Sequence, residues 1–243
     1  MELTVLPTAE AVAAVAADGF VAGARNAVAD RGRFTVALSG GRTPDGAFAL
    51  LRVSPRVDQV PWDAVDVFWT DERAVDPDAP LSNARRAQEV LLDHLPGLRP
   101  EAVHRILGEA PDLDAAARAY EEELRAWVPI GPAGVPEFDL VWLGMGVDGH
   151  TASLCPNDPS LVVTDRWVVP TWPAGYETAR LTLTYPVLDA ARQVTFLVTG
   201  QDKAATLAAV QGGADLPAAR VRARSVTWLV DAAAAGRLGG EQP

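Results

Sequence analysis

A histidine and an aspartate lie close together in a glycine-rich stretch that follows a predicted strand. The stretch is G-M-G-V-D-G-H-T-A-S-L-C-P (144–156), and it presents Asp148 and His150 two residues apart. A histidine beside a carboxylate is suited to proton transfer near neutral pH, because its unperturbed pKa lies close to that range. A buried structural histidine is the alternative interpretation, but the neighbouring glycines and the polar loop favour the catalytic one.

A second candidate site is the junction S-G-G-R-T-P (39–44), which joins a predicted strand to a predicted helix. Two glycines let backbone N–H groups turn toward one point, and a helix N-terminus adds partial positive charge, so the junction predicts an anion-binding nest. Thr43 suits the N-cap of the helix and Pro44 suits its first turn. The spacing matches neither the dinucleotide fingerprint nor the P-loop, and a purely geometric turn is the alternative.

Charged residues stand at the ends of other predicted elements. Asp71-Glu72-Arg73 follows a strand, Arg180 begins the strand R-L-T-L-T, and Lys203 begins a helix. A phosphate group requires convergent donors of this kind. Surface salt bridges and solvated cations are the alternative interpretation.

The elements that position these residues alternate between strands and helices. Short apolar runs predict strands at 33–38, 65–70, 138–143, 166–170, 180–184, 193–199 and 225–229. Helical spacing predicts helices at 9–29, 43–52, 82–94, 112–127, 202–211 and 231–237. This alternation predicts an α/β fold with a mostly parallel sheet and helices on both faces, in one domain over residues 1–243. Ligands of such sheets bind beyond the carboxyl ends of the strands, where three of the candidate motifs lie.

The charge balance narrows the class of partner. The chain has 243 residues with 32 acidic and 21 basic side chains, a net charge of −11, and Lys203 is its only lysine. A strongly acidic chain repels polyanions, so we expect no nucleic-acid or membrane partner. The absence of a signal-like segment and of a long uncharged apolar run indicates a soluble, cytoplasmic protein.

The sequence gives little support for a metal site. Cys155 is the only cysteine, so neither a disulfide nor a Cys-based zinc site is expected. The histidines at 94, 104 and 150 are too far apart for a helical ligand pair. Because Cys155 precedes a proline in an apolar stretch, we interpret it as a small buried residue rather than a nucleophile.

With these motifs the chain resembles the 6-phosphogluconolactonase family, within the glucosamine-6-phosphate isomerase/6-phosphogluconolactonase superfamily. The resemblance covers nearly the whole chain, and its specificity comes from the order and spacing of short motifs. They are L-S-G-G-R-T-P (38–44), T-D-E-R-A-V (70–75), S-N (82–83), the 144–156 stretch, R-L-T-L-T (180–184), G-Q-D-K (200–203) and W-L-V-D-A-A-A-A (228–235). The resemblance implies a Rossmann-like, glucosamine-6-phosphate deaminase-like α/β fold.

The resemblance also implies hydrolysis of 6-phospho-D-glucono-1,5-lactone to 6-phospho-D-gluconate, a step of the pentose phosphate pathway, with no metal or organic cofactor. The family's histidine, loop aspartate and D-E-R arginine match His150, Asp148 and Arg73. We expect His150 to act as general base oriented by Asp148, and backbone amides or Arg73 to stabilise the oxyanion. Arg180 and Lys203 are expected to hold the phosphate of a phosphosugar lactone. The other expected substrate-binding residues are Ser39, Gly40, Gly41, Arg42, Thr43, Asp71, Asn83, Gly146, Gly149 and Thr151.

The chain departs from the family pattern in two places on the expected pocket rim. It has S-L-C-P-N (153–157) where the family usually has S-L-F-P-G, and its segment W-P-A-G-Y-E-T-A (172–179) lacks the usual Pro/Lys-rich run. These departures put the local shape of the rim in question and leave the placement of His150 unaffected.

Two other functions fit the same resemblance. A sugar-phosphate deaminase or isomerase of this fold tends to carry a glutamate after the histidine, where this chain has T-A-S-L (151–154). A non-catalytic sugar-phosphate sensor would need an attached DNA-binding segment, and no basic helix-turn-helix extension is visible. A lactonase that is a monomer or a weak homo-oligomer is therefore the favoured prediction.

Overall fold

A sheet of six parallel strands forms the centre of the molecule. In the computed structural model, which describes residues 2–238, these strands are β1 Glu2–Leu6, β2 Phe34–Leu38, β3 Val65–Trp69, β5 Leu140–Leu143, β8 Gln193–Val198 and β9 Ser225–Asp231. Their order in the sheet is β1-β9-β8-β5-β2-β3. Every residue of β2, β3 and β5 is buried, which explains why these strands are nearly continuous apolar runs in the sequence.

Helices cover both faces of this sheet. They are α1 Ala9–Arg31, α2 Arg42–Leu51, α3 Asn83–Val90, α4 Leu113–Trp127, α5 Tyr185–Ala190 and α6 Ala204–Gln211. The Phe20 ring of α1 lies 5.2 Å from that of Phe34 and 5.6 Å from that of Trp142, and the strand register puts these two partners on one face. Phe68 points to the opposite face, where its ring lies 6.3 Å from that of Tyr120 in α4. The predicted α/β architecture is confirmed.

A second, smaller sheet is antiparallel and was not predicted. Its strands are β4 Asp71–Arg73, β6 Val168–Thr171 and β7 Arg180–Leu183, in the order β4-β7-β6. Only Thr70 separates β3 from β4, and its N–H donates to the carbonyl of Leu38 at 2.9 Å. The register sets Arg73 directly opposite Arg180, so this sheet brings two of the charged motifs together.

The start of α2 differs from the prediction. Gly41 is the N-cap residue and α2 begins at Arg42, so the prediction of Thr43 as N-cap was wrong. The reason is that Gly41 makes the turn itself, with a φ of +110° that residues with side chains rarely adopt. The Thr43 hydroxyl instead lies 2.9 Å from the hydroxyl of Thr199, the residue after β8.

The C-terminal part also differs from the prediction, because residues 232–238 form turns and the expected helix at 231–237 is absent from the described residues. Strand β9 continues to Asp231, whose carboxylate accepts the N–H of Gly200 at 3.0 Å and that of Ala234 at 2.7 Å. The Asp231 carboxylate thereby connects the end of β9 to the loop after β8 and stabilises a turn at residues 231–234. The first strand, β1, pairs with β9 and was not predicted.

Helix α1 is the one helix of residues 2–238 that is long and apolar enough to cross a membrane by length and composition. Its buried residues are Val12, Ala13, Ala16, Ala17, Phe20, Val21, Ala24 and Ala27. They belong to the main hydrophobic core, so the apolar composition of α1 is that of a core helix.

Candidate active site

A cavity of about 870 Å³ lies at the carboxyl end of the parallel strands, where the sequence predicts a ligand. The segments that follow β2, β3, β5 and β8 line it, together with the start of β7. Most of the predicted site residues line this cavity. They are Ser39, Gly40, Gly41, Arg42, Thr43, Asp71, Arg73, Asn83, Gly146, His150, Arg180 and Lys203.

The glycine junction lets the chain after β2 approach the start of α3 closely at the cavity wall. A Cβ atom at residue 40 would overlap the carboxamide of Asn83, so only glycine permits this approach. Helix α2 begins immediately after Gly41, and its first turn lines the cavity. The unpaired N–H groups and the partial positive charge of that helix end favour an anion there.

His150 is held by Asp148 through a short hydrogen bond. His150 Nδ1 lies 2.6 Å from Asp148 Oδ1, which also accepts the backbone N–H of His150 at 3.2 Å. Partial burial acts to raise the pKa of the Asp148 carboxyl, but the charge of His150 and its hydrogen bonds outweigh burial and hold that pKa below its ordinary value. An ionised carboxylate only accepts hydrogen bonds, so this contact favours the tautomer of the neutral ring in which Nδ1 carries the proton and Nε2 keeps a lone pair. This tautomer suits a general base on the cavity wall.

The loop that carries His150 is closed by its own hydrogen bonds. The Gly146 N–H donates to the carbonyl of His150 at 2.9 Å, and the Thr151 hydroxyl donates to the carbonyl of Gly144 at 2.9 Å. Gly149 occupies the turn with a φ of +84°. Gly149 and Thr151 do not line the cavity, in contrast to the substrate-binding role predicted for them, because their contacts are taken up in holding this loop. Asp148 does not line the cavity either, and its side chain is 39% exposed.

Tyr176 belongs to the site and was missed by the sequence analysis. Its hydroxyl oxygen lies 3.0 Å from His150 Nδ1, and the guanidinium carbon of Arg180 lies 4.3 Å from the centre of its ring. The side chain therefore joins the candidate base to one of the candidate phosphate-binding cations. The segment W-P-A-G-Y-E-T-A (172–179) has two aromatic residues, Trp172 and Tyr176, and neither has a diagnostic spacing.

Tyr176→Phe is expected to lower kcat for lactone hydrolysis about two- to tenfold, because His150 loses one hydrogen-bonding neighbour while the ring stays on Arg180. Tyr176→Ala removes the ring as well and is expected to raise KM in addition. Steady-state kinetics of both variants measure the two effects separately. A phenylalanine variant with wild-type kcat would contradict a role for the hydroxyl.

Arg73 is fixed in the cavity wall by two acceptors. Its Nη1 donates to the carbonyl of Leu81 at 2.7 Å and to Asn83 Oδ1 at 2.6 Å. Asn83 Nδ2 in turn donates to the carbonyl of Asp71 at 2.8 Å. The guanidinium is thereby oriented before any ligand arrives, which suits it to stabilise a developing negative charge.

Glu72, the middle residue of D-E-R, has a structural role. Its carboxylate accepts the N–H groups of Asn83 and Ala84 at 2.7 and 2.8 Å, and the hydroxyl of Ser82 at 3.1 Å. Burial raises the pKa of the Glu72 carboxyl, although the backbone N–H donors act in the opposite direction. Glu72 therefore joins β4 to the start of α3 and fixes the position of Asn83.

Arg180 lines the cavity, and Ser153 connects it to Asp71 through hydrogen bonds. Its Nη1 donates to Ser153 Oγ at 3.4 Å, and Ser153 Oγ donates to Asp71 Oδ2 at 2.6 Å. This chain connects β7, the loop that carries His150 and β4. Ser153 was not among the predicted site residues, although it lies within the 144–156 motif.

The cavity carries four cations in a chain with a net charge of −11. They are Arg42, Arg73, Arg180 and Lys203. Among residues 2–238 the three arginines form no salt bridge, and Lys203 Nζ lies 3.5 Å from Asp202. The carboxylates along the same cavity are those of Glu10, Asp71 and Asp202. A small anion is therefore attracted locally, while the overall charge repels a polyanion.

Cys155 is buried next to this site, as predicted, with 4% of its surface exposed. Burial raises the pKa of its thiol to about 12, so the thiol is protonated at neutral pH. It does not line the cavity. These properties argue against a nucleophilic cysteine.

Comparison with known proteins identifies the family. The family model described as Glucosamine-6-phosphate isomerases/6-phosphogluconolactonase matches residues 7–229. The chain belongs to this family. The match covers all the strand ends that line the cavity, so the predicted resemblance is confirmed for the part of the chain that contains the candidate site.

Two relatives are similar to this family member over nearly their whole length. A 6-phosphogluconolactonase of Streptomyces coelicolor is 39% identical over 247 residues, covering 98% of this chain and 94% of the relative. A 6-phosphogluconolactonase of Nostoc sp. is 37% identical over 243 residues, covering 96% of this chain and 97% of the relative.

Two solved structures share the fold of this chain. The 6-phosphogluconolactonase from Trypanosoma cruzi is 26% identical with a TM-score of 0.84, covering 98% of this chain and 97% of that one. A monomeric glucosamine-6-phosphate deaminase is 21% identical with a TM-score of 0.81, covering 98% of this chain and 100% of that one. The second likeness concerns the fold alone, and it confirms the deaminase-like architecture predicted for this family member.

Proposed function

We propose that this protein is a 6-phosphogluconolactonase, which hydrolyses 6-phospho-D-glucono-1,5-lactone to 6-phospho-D-gluconate in the pentose phosphate pathway. The observation that carries the proposal is the hydrogen-bonded Asp148–His150 pair beside a cavity that also holds four cations. The names of the relatives point to the same reaction.

The 6-phosphate lies between the glycine junction and the cations at the other strand ends. Backbone N–H groups at Gly40–Thr43, the Lys203 ammonium and the Arg180 guanidinium supply the donors. Arg180 also contacts Tyr176, which contacts His150, so the phosphate anchor and the base share one set of contacts. Anchoring the phosphate places the lactone carbonyl relative to His150 and lowers the entropic part of the barrier.

Hydrolysis then requires one proton acceptor and one site for negative charge. His150 Nε2 removes a proton from water, and the water oxygen forms a bond to C1 while the carbonyl electron pair moves to its oxygen. Arg73 and nearby backbone N–H groups stabilise this oxyanion. The intermediate collapses as the bond from C1 to the ring oxygen breaks, and His150 returns its proton to that oxygen. Asp148 stabilises the imidazolium between the two transfers.

A deaminase or isomerase on the same fold is the main alternative. Ring opening by the histidine is followed by proton transfer at C2, for which the related deaminases tend to carry a further carboxylate after the histidine. Beyond Asp148, which already bonds His150, residues 151–154 offer none. Asp71 does line the cavity, but hydroxyls of Ser153 and Thr70 already donate to its two oxygens. The lactonase is therefore the better match to the site.

Assays with three substrates separate these functions. The purified protein is incubated with the lactone, with glucosamine 6-phosphate and with ribose 5-phosphate, and the spontaneous hydrolysis of the lactone is subtracted. We expect turnover of the lactone only. Ammonia release from glucosamine 6-phosphate, or aldose–ketose conversion of ribose 5-phosphate, at a rate above lactone turnover would overturn the proposal.

Lys203→Ala is expected to raise KM about 10- to 100-fold, because a charge-assisted contact with the phosphate is lost, while kcat changes less. Lys203→Arg keeps the positive charge but changes the size and shape of the donor group, so it tests whether the phosphate requires an ammonium at this position. Arg118→Ala serves as control, because it removes an exposed cation of α4 outside the cavity. Unchanged KM in the Lys203→Ala variant would place the phosphate elsewhere.

The proposal includes a cytoplasmic location and a monomer or weak homo-oligomer. The support for the location is that α1, the candidate span, is packed into the hydrophobic core. Fractionation of cells tests the location, and light scattering of the purified protein tests the assembly.

A further inference from the structure

Asp148, His150 and Cys155 form a cluster of three different metal-binding side chains. One carboxylate oxygen, one ring nitrogen and the thiol sulfur all lie within 4.8 Å of one another. The chain brings them together by a tight turn, in which Thr151 and Leu154 pair through N–H···O contacts of 3.3 and 2.9 Å. No other such cluster of histidine, cysteine and acidic residues occurs among residues 2–238.

The donor set and its spacing suit a tetrahedral divalent cation. Zinc takes thiolate, imidazole and carboxylate ligands at about 2.0–2.3 Å, which puts neighbouring donor atoms about 3.4–3.6 Å apart. In the structure the three donor atoms lie up to 4.8 Å apart, so movements of roughly 1 Å by the side chains bring them to that spacing. Three protein ligands also leave a fourth position open.

We propose that Asp148, His150 and Cys155 bind Zn²⁺ and that the bound ion inhibits the enzyme reversibly. Coordinate bonds form from the Asp148 carboxylate, a His150 ring nitrogen and the Cys155 sulfur, and the thiol proton is released to solvent. No oxidation or reduction takes place. The ion inhibits because it takes up the candidate base together with the carboxylate that orients it.

The path into the cluster starts at its exposed member. The side chain of Asp148 is 39% exposed and that of His150 is 22% exposed, whereas Cys155 is buried behind them. An ion can therefore meet the carboxylate first and then reach the sulfur after displacing the 2.6 Å hydrogen bond between Asp148 and His150. Cys155 stands where the family pattern usually has phenylalanine, so this donor set is a property of the present chain.

Cobalt substitution gives a direct test, because Cys155 is the only thiol of the chain. Co²⁺ is titrated into the substrate-free, full-length protein, and the thiolate-to-cobalt charge-transfer absorption is followed. We expect a saturable band with one ion per chain, its absence in Cys155→Ala and Cys155→Ser, and its loss when Zn²⁺ is added. A wild-type protein without this band would overturn the proposal. The titration needs no substrate, so its result is independent of the proposed lactonase function.

Inhibition gives the second test. For each variant, the activity measured with a chelator present is the metal-free reference. Zn²⁺ is then titrated, and activity is expressed relative to that reference. We expect the Zn²⁺ concentration at half-inhibition to rise more than about tenfold in Cys155→Ala. Loss of a residue that only hydrogen-bonds to a metal ligand already lowers metal affinity about 10- to 100-fold, so loss of a ligand itself should cost at least the lower of these values. Glu123→Gln is the matched control, because it removes the carboxylate of the other His–carboxylate pair, at His104, and should leave the midpoint unchanged. Equal midpoints in wild type and Cys155→Ala would contradict the site.

Discussion

Replacing His150 with alanine is expected to lower kcat for lactone hydrolysis about 10²- to 10⁴-fold, the usual contribution of a general acid–base group. The side chain is the one imidazole on the cavity wall within residues 2–238, and its Nδ1 is bound to Asp148, so no other histidine can replace it. KM is expected to change far less, because the phosphate contacts lie at other strand ends. Steady-state kinetics above the spontaneous rate measure both constants.

His94→Ala is the matched control for the loss of a histidine. His94 is exposed near the end of α3, with Nε2 3.1 Å from the carbonyl of Glu89, and it lies outside the cavity. Circular dichroism establishes whether both variants are folded. A folded His150→Ala protein that retains most of the wild-type kcat would rule out this residue as the base.

Gly146→Ala is expected to lower kcat about 100-fold with little change in the backbone. A Cβ atom at residue 146 would overlap Nδ1 and Cε1 of the His150 ring and approach Asp148 Oδ1, so the ring must move. A displacement of about 1 Å at a catalytic group is enough for an effect of this size. The phosphate anchors are untouched, so KM is expected to stay within a few-fold of wild type.

Gly144→Ala, two residues away in the same loop, provides the comparison. A Cβ atom there meets nothing within 4 Å, so the same substitution adds a methyl group without displacing the ring. We expect it to retain kcat and the thermal midpoint Tm. Equal kcat values for the two variants would show that the position of the His150 ring is less critical than the structure suggests.

The sequence was sufficient to predict the strand ends that build the cavity. Buried parallel strands are continuous apolar runs, and glycines, charged groups and histidine follow them where a parallel sheet places its ligand. Ser39, Arg73, His150 and Lys203, which the sequence analysis singled out, all line one cavity. Whether they bind and act as proposed stays a prediction.

The features that the sequence missed depend on contacts between distant segments. The three residues of β4 have no strand periodicity of their own, and they become a strand only through pairing with β7. Tyr176 enters the site because Arg180 and His150 happen to flank it in space. The alanine-rich stretch after Asp231 has high helix propensity, yet the bonds from Gly200 and Ala234 to that carboxylate impose a turn.

The pairing of β4 with β7 sets two guanidinium groups, those of Arg73 and Arg180, on directly opposed residues. Like charges at such positions repel and weaken the sheet, so the unliganded fold is held below its maximal stability. A ligand whose anionic groups lie beside these two guanidinium groups offsets that repulsion, and its binding free energy adds to the stability of the folded state. Substrate and product should therefore act as thermal protectants, and Tm should rise with the concentration of 6-phosphogluconate more than with gluconate. The small sheet thus lowers the stability of the unliganded fold and, by the same arrangement, raises its affinity for an anionic ligand.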